Sequence, residues 1–301
     1  MLLGLALLAT QVGELPAPTG VHPVGTRLLA LVDQTRPGPD GSPGRPLTVQ
    51  LWYPAAPEGG EPAPYATDDD LLAWLVDLEY YGQSAATLEG WASLTTHARR
   101  DAPFAAPEAG GPFPVLLFSH GLGVARMNYT ALAAELAGQG FAVAVVDHPA
   151  GGVTITTDGQ MLSTEDDPEI EPHWMERCED WAADHRLVLT ALAERFPVGL
   201  ATDRAGVLGH SMGGAAALLA GGGDPRLVAC ADLDGAPTAV IEQQGLRRPS
   251  LFVKAVAVYP GPGQPDDLAA LWSELAARGP APGLSPRSGA PGTCPSATRP
   301  S

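Results

Sequence analysis

One hexapeptide constrains this chain more than any other feature. It is Gly209-His210-Ser211-Met212-Gly213-Gly214, set directly between the apolar run Ala205-Gly206-Val207-Leu208 and the small-residue run Ala215-Ala216-Ala217-Leu218-Leu219. A short apolar run closed by glycine reads as a buried strand, and the run after it reads as a helix start. The chain must therefore pass from strand to helix in a tight turn with a serine at its tip. Gly209 and Gly213 let strand and helix come close, because neither carries a side chain that would collide there. The plainer reading of the same residues is a glycine-rich helix start whose serine caps the first turn.

The rest of the chain alternates in the same way. Thr26 to Val32 and Leu47 to Trp52 read as strands around a Gly/Pro-rich turn region, 37–46. A helical stretch follows over 68–81. Pro112 to Ser119 is a buried strand that runs into His120-Gly121-Leu122-Gly123, and Asn128 to Gly138 is helical. Phe141 to Val146 is wholly apolar, which suits a parallel strand covered on both faces. Trp174, Cys178, Trp181, Val188 and Leu192 fall on a helical period within 174–196. Beyond the serine turn, 227–233 and 251–258 read as strands and 266–278 as a closing helix. This alternation predicts an α/β fold, a mostly parallel doubly wound sheet with helices on both faces. The expected organisation is an apolar N-terminal segment, 1–14, one domain over 15–278, and a Gly/Pro/Ser-rich tail, 279–301. The tail has too few large apolar residues to offset its ordering entropy and is expected to be disordered.

Composition removes several classes of function. A net charge of −17 argues against nucleic acid and against an electrostatic hold on anionic membranes. Cys178, Cys230 and Cys294 match neither a disulfide framework nor zinc-ligand spacing, and Cys230 reads as a small core residue. The acidic run 165–171 fits no calcium loop and reads as a solvated surface. No phosphate or dinucleotide loop is present, so no nucleotide cofactor is expected. Met1 to Ala9 is apolar but lacks a basic n-region and is too short to span a bilayer. It makes no convincing secretory signal, and cytoplasmic and secreted locations both stay open.

The strand, G-x-S-x-G turn and helix together form the nucleophile elbow of serine hydrolases. A serine hydroxyl is a poor nucleophile until a base takes its proton and a third group orients that base. Ser211 is the expected nucleophile. The oxyanion that forms after attack needs aimed N–H donors. Met212, after the serine, supplies one, and Leu122 in the loop after the earlier strand supplies the other. The plainer reading of that loop is an ordinary strand-to-helix turn. The acid is expected at the end of the strand after the elbow strand. Asp234 is preferred there, with Asp232 two residues back as the alternative on the same side.

These segments resemble the plasma-type platelet-activating factor acetylhydrolases and their bacterial relatives, within the α/β-hydrolase superfamily. The resemblance is carried by Leu15-Pro16-Ala17-Pro18-Thr19-Gly20, Val49-Gln50-Leu51-Trp52-Tyr53-Pro54, Phe118-Ser119-His120-Gly121-Leu122-Gly123, the elbow, and Leu233-Asp234. It implies hydrolysis of short-chain or phospholipid-type acyl esters, without metal, and a small-molecule or lipid ester as partner. It also allows a lid or weak lipid-surface contact through the helix at 69–81, although packing of that helix on the sheet is the favoured reading. One departure stands out. The family places its catalytic histidine near the C-terminus, whereas all 7 histidines here lie at or before 210. His148 resembles a family position of structural type, and His173 and His185 read as surface residues. A shifted reading frame over 291–300 permits the string Trp-His-Leu-Ser-Phe-Ser-Asp-Ala-Pro, which resembles the missing histidine motif. A catalytically impaired or truncated protein of the same fold, and an acyltransferase, are the alternatives to an active hydrolase.

Overall fold

The computed structural model describes residues 15–67, 94–106, 111–156, 159–167, 169–170 and 173–253. The apolar run around 142–147 becomes β6 (Ala142–Asp147), whose every residue is buried. Around it lie β1 (Val24–Asp33), β2 (Arg45–Pro54), β3 (Glu61–Pro64), β4 (Thr95–Arg100), β5 (Phe113–Ser119), β9 (Leu200–His210), β10 (Leu227–Leu233) and β11 (Ser250–Val253). They form one nine-stranded sheet in the order β11-β10-β9-β5-β6-β2-β1-β4-β3. A separate two-stranded ribbon pairs β7 (Thr154–Ile155) with β8 (Met161–Leu162).

The strands from β6 to β11 across the sheet are parallel. β2 runs antiparallel to both β1 and β6, because the short Gly/Pro turn after β1 leaves no length for a crossover. Alternate residues of β6 feed opposite faces. Ala142, Ala144 and Val146 join Val49, Leu117, Val188, Leu189, Leu192 and Ala217 on one side. Val143 and Val145 join Trp52, Phe118, Ala133 and Ala137 on the other. The first face is covered by α2 (Trp174–Arg195) and α3 (Met212–Gly223), the second by α1 (Thr130–Gly138). A 3₁₀ turn, Arg126–Tyr129, leads into α1, and a short α4 (Ala239–Gln244) follows β10. The architecture is the anticipated α/β sheet with helices on both faces.

Several elements were not anticipated. β4 is Thr-Thr-His-Ala-Arg-Arg and buries only Ala98, so it has no apolar signature of its own. It exists because the edge of β1 offers parallel pairing, and β3 then pairs with it. The expected helices at 68–81 and 266–278, the end of the strand at 251–258, segment 1–14, the tail and Cys294 lie outside the described residues. Among the described residues no helix is long and apolar enough to cross a membrane.

Candidate active site

Strand register brings the expected residues to one edge. Ser119 pairs with Gly209 and Leu233 with His210. Just beyond these pairs on the three parallel strands come Gly121, Ser211 and Asp234, all at the C-terminal edge of the sheet. Ligands of open parallel sheets gather at this edge.

Ser211 sits at φ 55° and ψ −124°, a left-handed conformation that costs a non-glycine residue free energy. Its N–H donates to Leu233 O at 2.9 Å, and its carbonyl accepts from Gly214 N–H at 2.9 Å. The side chain makes no capping bond to α3, so the capping role does not account for a serine here. Among the described residues the half-exposed Oγ has no hydrogen-bond partner. It lies at the N-terminus of α3, where the aligned peptide dipoles favour negative charge. The turn closes only because its glycines are bare. A Cβ on Gly213 would run into the carbonyls of Ser119 and His120, and one on Gly214 into the Asp232 carboxylate.

The loop after β5 touches the elbow. A Cβ on Gly121 would stand 2.9 Å from His210 Nδ1 and 3.3 Å from Ser211 Cβ. Gly121 N–H donates to Tyr129 Oη at 3.2 Å, and Gly123 N–H to Gly151 O at 2.7 Å. Between them, Leu122 N–H has no acceptor among the described residues, nor does Met212 N–H. The two candidate acids differ sharply. Asp232 is buried under the turn and accepts Gly235 N–H at 2.7 Å. Asp234 is exposed at φ 61°, with its N–H donating to Val253 O at 2.7 Å. Its charge opposes the burial that pushes the His210 imidazolium pKa down.

Behind this edge lies a network that the sequence did not announce. Ser119 Oγ is 2.6 Å from His148 Nε2 and 2.7 Å from His185 Nε2. His148 Nδ1 is 2.8 Å from Asp184 Oδ2. Asp184 also accepts from Arg45 Nε at 2.9 Å and from the Arg36 guanidinium. Those cations hold its carboxyl far below the usual range despite burial. Burial pushes His148 down to about 4 and His185 down to about 3, so both are neutral. The protons follow. A carboxylate only accepts, so His148 donates from Nδ1 and accepts at Nε2. Ser119 O–H therefore donates to His148, and Ser119 Oγ accepts from His185 Nε2–H. His185 Nδ1 is left as a buried acceptor with no partner among the described residues. Trp181 stacks on His148 with ring centres 4.2 Å apart and meets His120 edge-on at 5.0 Å.

The histidine expectations are thus corrected in one case. His185 is fully buried on the inner face of α2, whereas His173 is exposed. Cys230 is buried in the main core, as a small core residue should be. The acidic run is more structured than a solvated loop: Asp166 accepts Ser163 N–H at 2.7 Å and Asp167 pairs with Arg177 at 2.6 Å. Among the described residues no group of three or more His, Cys, Asp or Glu could hold a metal.

A strained serine at a strand-to-helix turn beside the loop of a neighbouring parallel strand defines a protein of the α/β-hydrolase fold. A ferulic acid esterase from Streptomyces cinnamoneus has a similar solved structure, with a TM-score of 0.71 and 30% identity over 88% of this chain and 73% of that one. The family model "Platelet-activating factor acetylhydrolase, isoform II" matches residues 8–186, and the chain belongs to that family. The match takes in the 120–123 loop and His148 and stops before the elbow. The platelet-activating factor acetylhydrolase of Gallus gallus is 31% identical over 147 residues, 45% of this chain and 30% of the relative. A probable 1-alkyl-2-acetylglycerophosphocholine esterase of Arthroderma benhamiae is 32% identical over 130 residues, 40% of this chain and 31% of the relative. The matched parts thus span about a third of these curated relatives' length.

Proposed function

We propose that the chain is a hydrolase of carboxylic esters, of short-chain or phospholipid type, acting through an acyl-enzyme on Ser211. The observation that carries this reading is the pairing of an unengaged Ser211 hydroxyl on a strained turn with the unengaged N–H groups of Leu122 and Met212. Ser211 Oγ attacks the ester carbonyl as a base takes its proton. The Leu122 and Met212 N–H groups stabilise the oxyanion, each donor being worth roughly 3 kcal/mol of barrier. The base returns the proton to the departing alcohol, and water then releases the acid and restores the serine. Asp234 orients the base. The relatives' names support the bond class: an acetyl ester of a glycerophosphocholine and a ferulate ester share only the ester carbonyl. The amphipathic segment 69–81 adds a weak contact with a lipid surface.

One observation favours a second reading. No histidine follows Ser211 in the sequence, and His120, His148 and His185 are committed to interior contacts. The chain is then a catalytically impaired hydrolase that retains only what oxyanion stabilisation and binding supply. Hydrolysis of p-nitrophenyl acetate separates the two readings, using the chain, its Ser211→Ala variant, and a version whose 291–300 segment is replaced by the shifted-frame string. Ser211-dependent turnover by the chain itself supports the active hydrolase. Turnover only in the replaced version supports impairment. Turnover indifferent to Ser211→Ala overturns both. Ester formation with an added alcohol, in place of free acid, reassigns the chain to acyl transfer.

A further inference from the structure

The three amides that leave β5 are treated unequally. Gly121 and Gly123 are tied down, and Leu122 between them is not. The tie on Gly121 is the Tyr129 hydroxyl, which also lies 2.9 Å from His210 Nδ1, on the residue before the nucleophile. One oxygen therefore bridges the oxyanion loop and the elbow. Tyr129 itself is held from behind, its ring tilted on Phe118 with centres 4.6 Å apart, at the junction of the 3₁₀ turn with α1.

The hydroxyl has one proton to give. It accepts Gly121 N–H and, with His210 in the Nε2–H tautomer, gives its own proton to His210 Nδ1. Burial raises the Tyr129 phenol to about 12 and lowers the His210 imidazolium, both of which preserve this arrangement at neutral pH. Reversing it would take a proton on His210 Nδ1, in the other neutral tautomer or in the imidazolium, and would turn the Tyr129 proton away from the loop–elbow contact.

We propose that Tyr129 is a positioning residue: its hydroxyl sets the separation of the Leu122 N–H from Ser211 by clamping Gly121 to His210. The inference rests on the reading of Ser211 as nucleophile. It adds to that reading a residue that touches no substrate yet fixes where the oxyanion donor stands.

Tyr129→Phe in the full chain is the test, since it keeps the ring on Phe118 and removes only the oxygen. Amide exchange at Gly121 should accelerate roughly tenfold or more, because that N–H loses its acceptor. The nitrogen NMR titration of His210 should move to higher pH, because Nδ1 loses its donor. With p-nitrophenyl acetate, kcat should fall roughly ten- to a hundredfold, with KM within about twofold. A merely structural hydroxyl would lower the melting temperature and leave kcat per folded molecule alone. Unchanged exchange at Gly121 overturns the proposal. So does an unchanged kcat when Ser211→Ala abolishes turnover. If the parent shows no Ser211-dependent turnover, the functional reading fails instead, and the exchange and titration still decide whether Tyr129 clamps the loop.

Discussion

Two serines close neighbouring strands of the same sheet, and they are opposites. Ser119, the last residue of β5, is fully buried in a complete Ser–His–Asp chain through His148 to Asp184. Ser211, one step past β9, has a hydroxyl with no bonded partner among the described residues, but the residue is half-buried, strained, and placed at a helix N-terminus beside two unengaged amides. A hydrogen-bonded triad is therefore no signature of a nucleophile by itself. Ser119 has the relay without access. Ser211 has access and, under the proposed function, donors for the charge that forms. The interior chain instead acts as a brace. It ties the end of β5, from which the 120–123 loop departs, to α2 and, through Arg45, to β2.

The largest effect expected from this contrast is on rate. Ser211→Ala should lower esterase kcat by on the order of 10⁴ or more. Ser211→Gly should do the same while raising stability by about 1 kcal/mol, because glycine accepts the φ of 55° without strain. Urea unfolding beside an ester assay measures both. Loss of stability with loss of rate would mean that Ser211 is structural, and the contrast would fail.

The brace should dominate stability. Asp184→Asn removes the buried charge that the buried Arg45 and His148 and the half-buried Arg36 converge on. Breaking a buried ion pair from one side costs about 3–5 kcal/mol. At this chain's size that lowers the melting temperature by roughly 6–20 °C. Calorimetry that found no shift would show the ion pair to be dispensable.

These two regions were unequally legible in the sequence. The elbow was readable because tight turns demand glycine, and glycine at fixed offsets survives as a pattern. β6 was readable because a strand buried on both faces leaves an unbroken apolar run, here 142–146. The brace was not readable. Arg45, Ser119, His148 and Asp184 come from four separate elements, and only the fold brings them together. The surface assignment of His185 followed from its polarity, because a helix does not announce that a histidine at one position will meet a serine on the strand beneath it. β4 was missed for the converse reason: its pairing comes from β1, not from any apolar pattern in Thr95–Arg100. Tyr129 fell within an expected helix but carried no motif that marked its hydroxyl.

Acidity should loosen the brace before it affects anything else. His148 and His185 titrate near 4 and 3 in the folded protein, well below the ordinary value of 6.5. The unfolded chain therefore takes up protons first as pH falls. Stability from these groups is fully present above about pH 6.5. It declines toward pH 4 by up to about 1.4 kcal/mol per pH unit for each histidine. His120, lowered by burial, acts in the same direction. Asp184 and Asp147, lowered by their arginine partners, add a further loss below about 3.8, the ordinary carboxylate value. Urea midpoints at pH 7, 5.5 and 4.5 should fall in sequence, and His185→Phe should flatten the slope. Equal midpoints would show that the histidines are already charged in the interior.

The smallest effect is the sharpest test of the division between the two serines. Ser119→Ala leaves His148 Nε2 without a donor and His185 Nε2–H without an acceptor. An unsatisfied buried group costs about 1–3 kcal/mol, so the urea midpoint should drop modestly. The esterase kcat should stay within about threefold, because the loop is held separately by Tyr129 at Gly121 and by Gly151 at Gly123. A variant that kept its stability and lost its rate would place Ser119 in the reaction path. The buried chain would then be part of the catalytic apparatus and not its support.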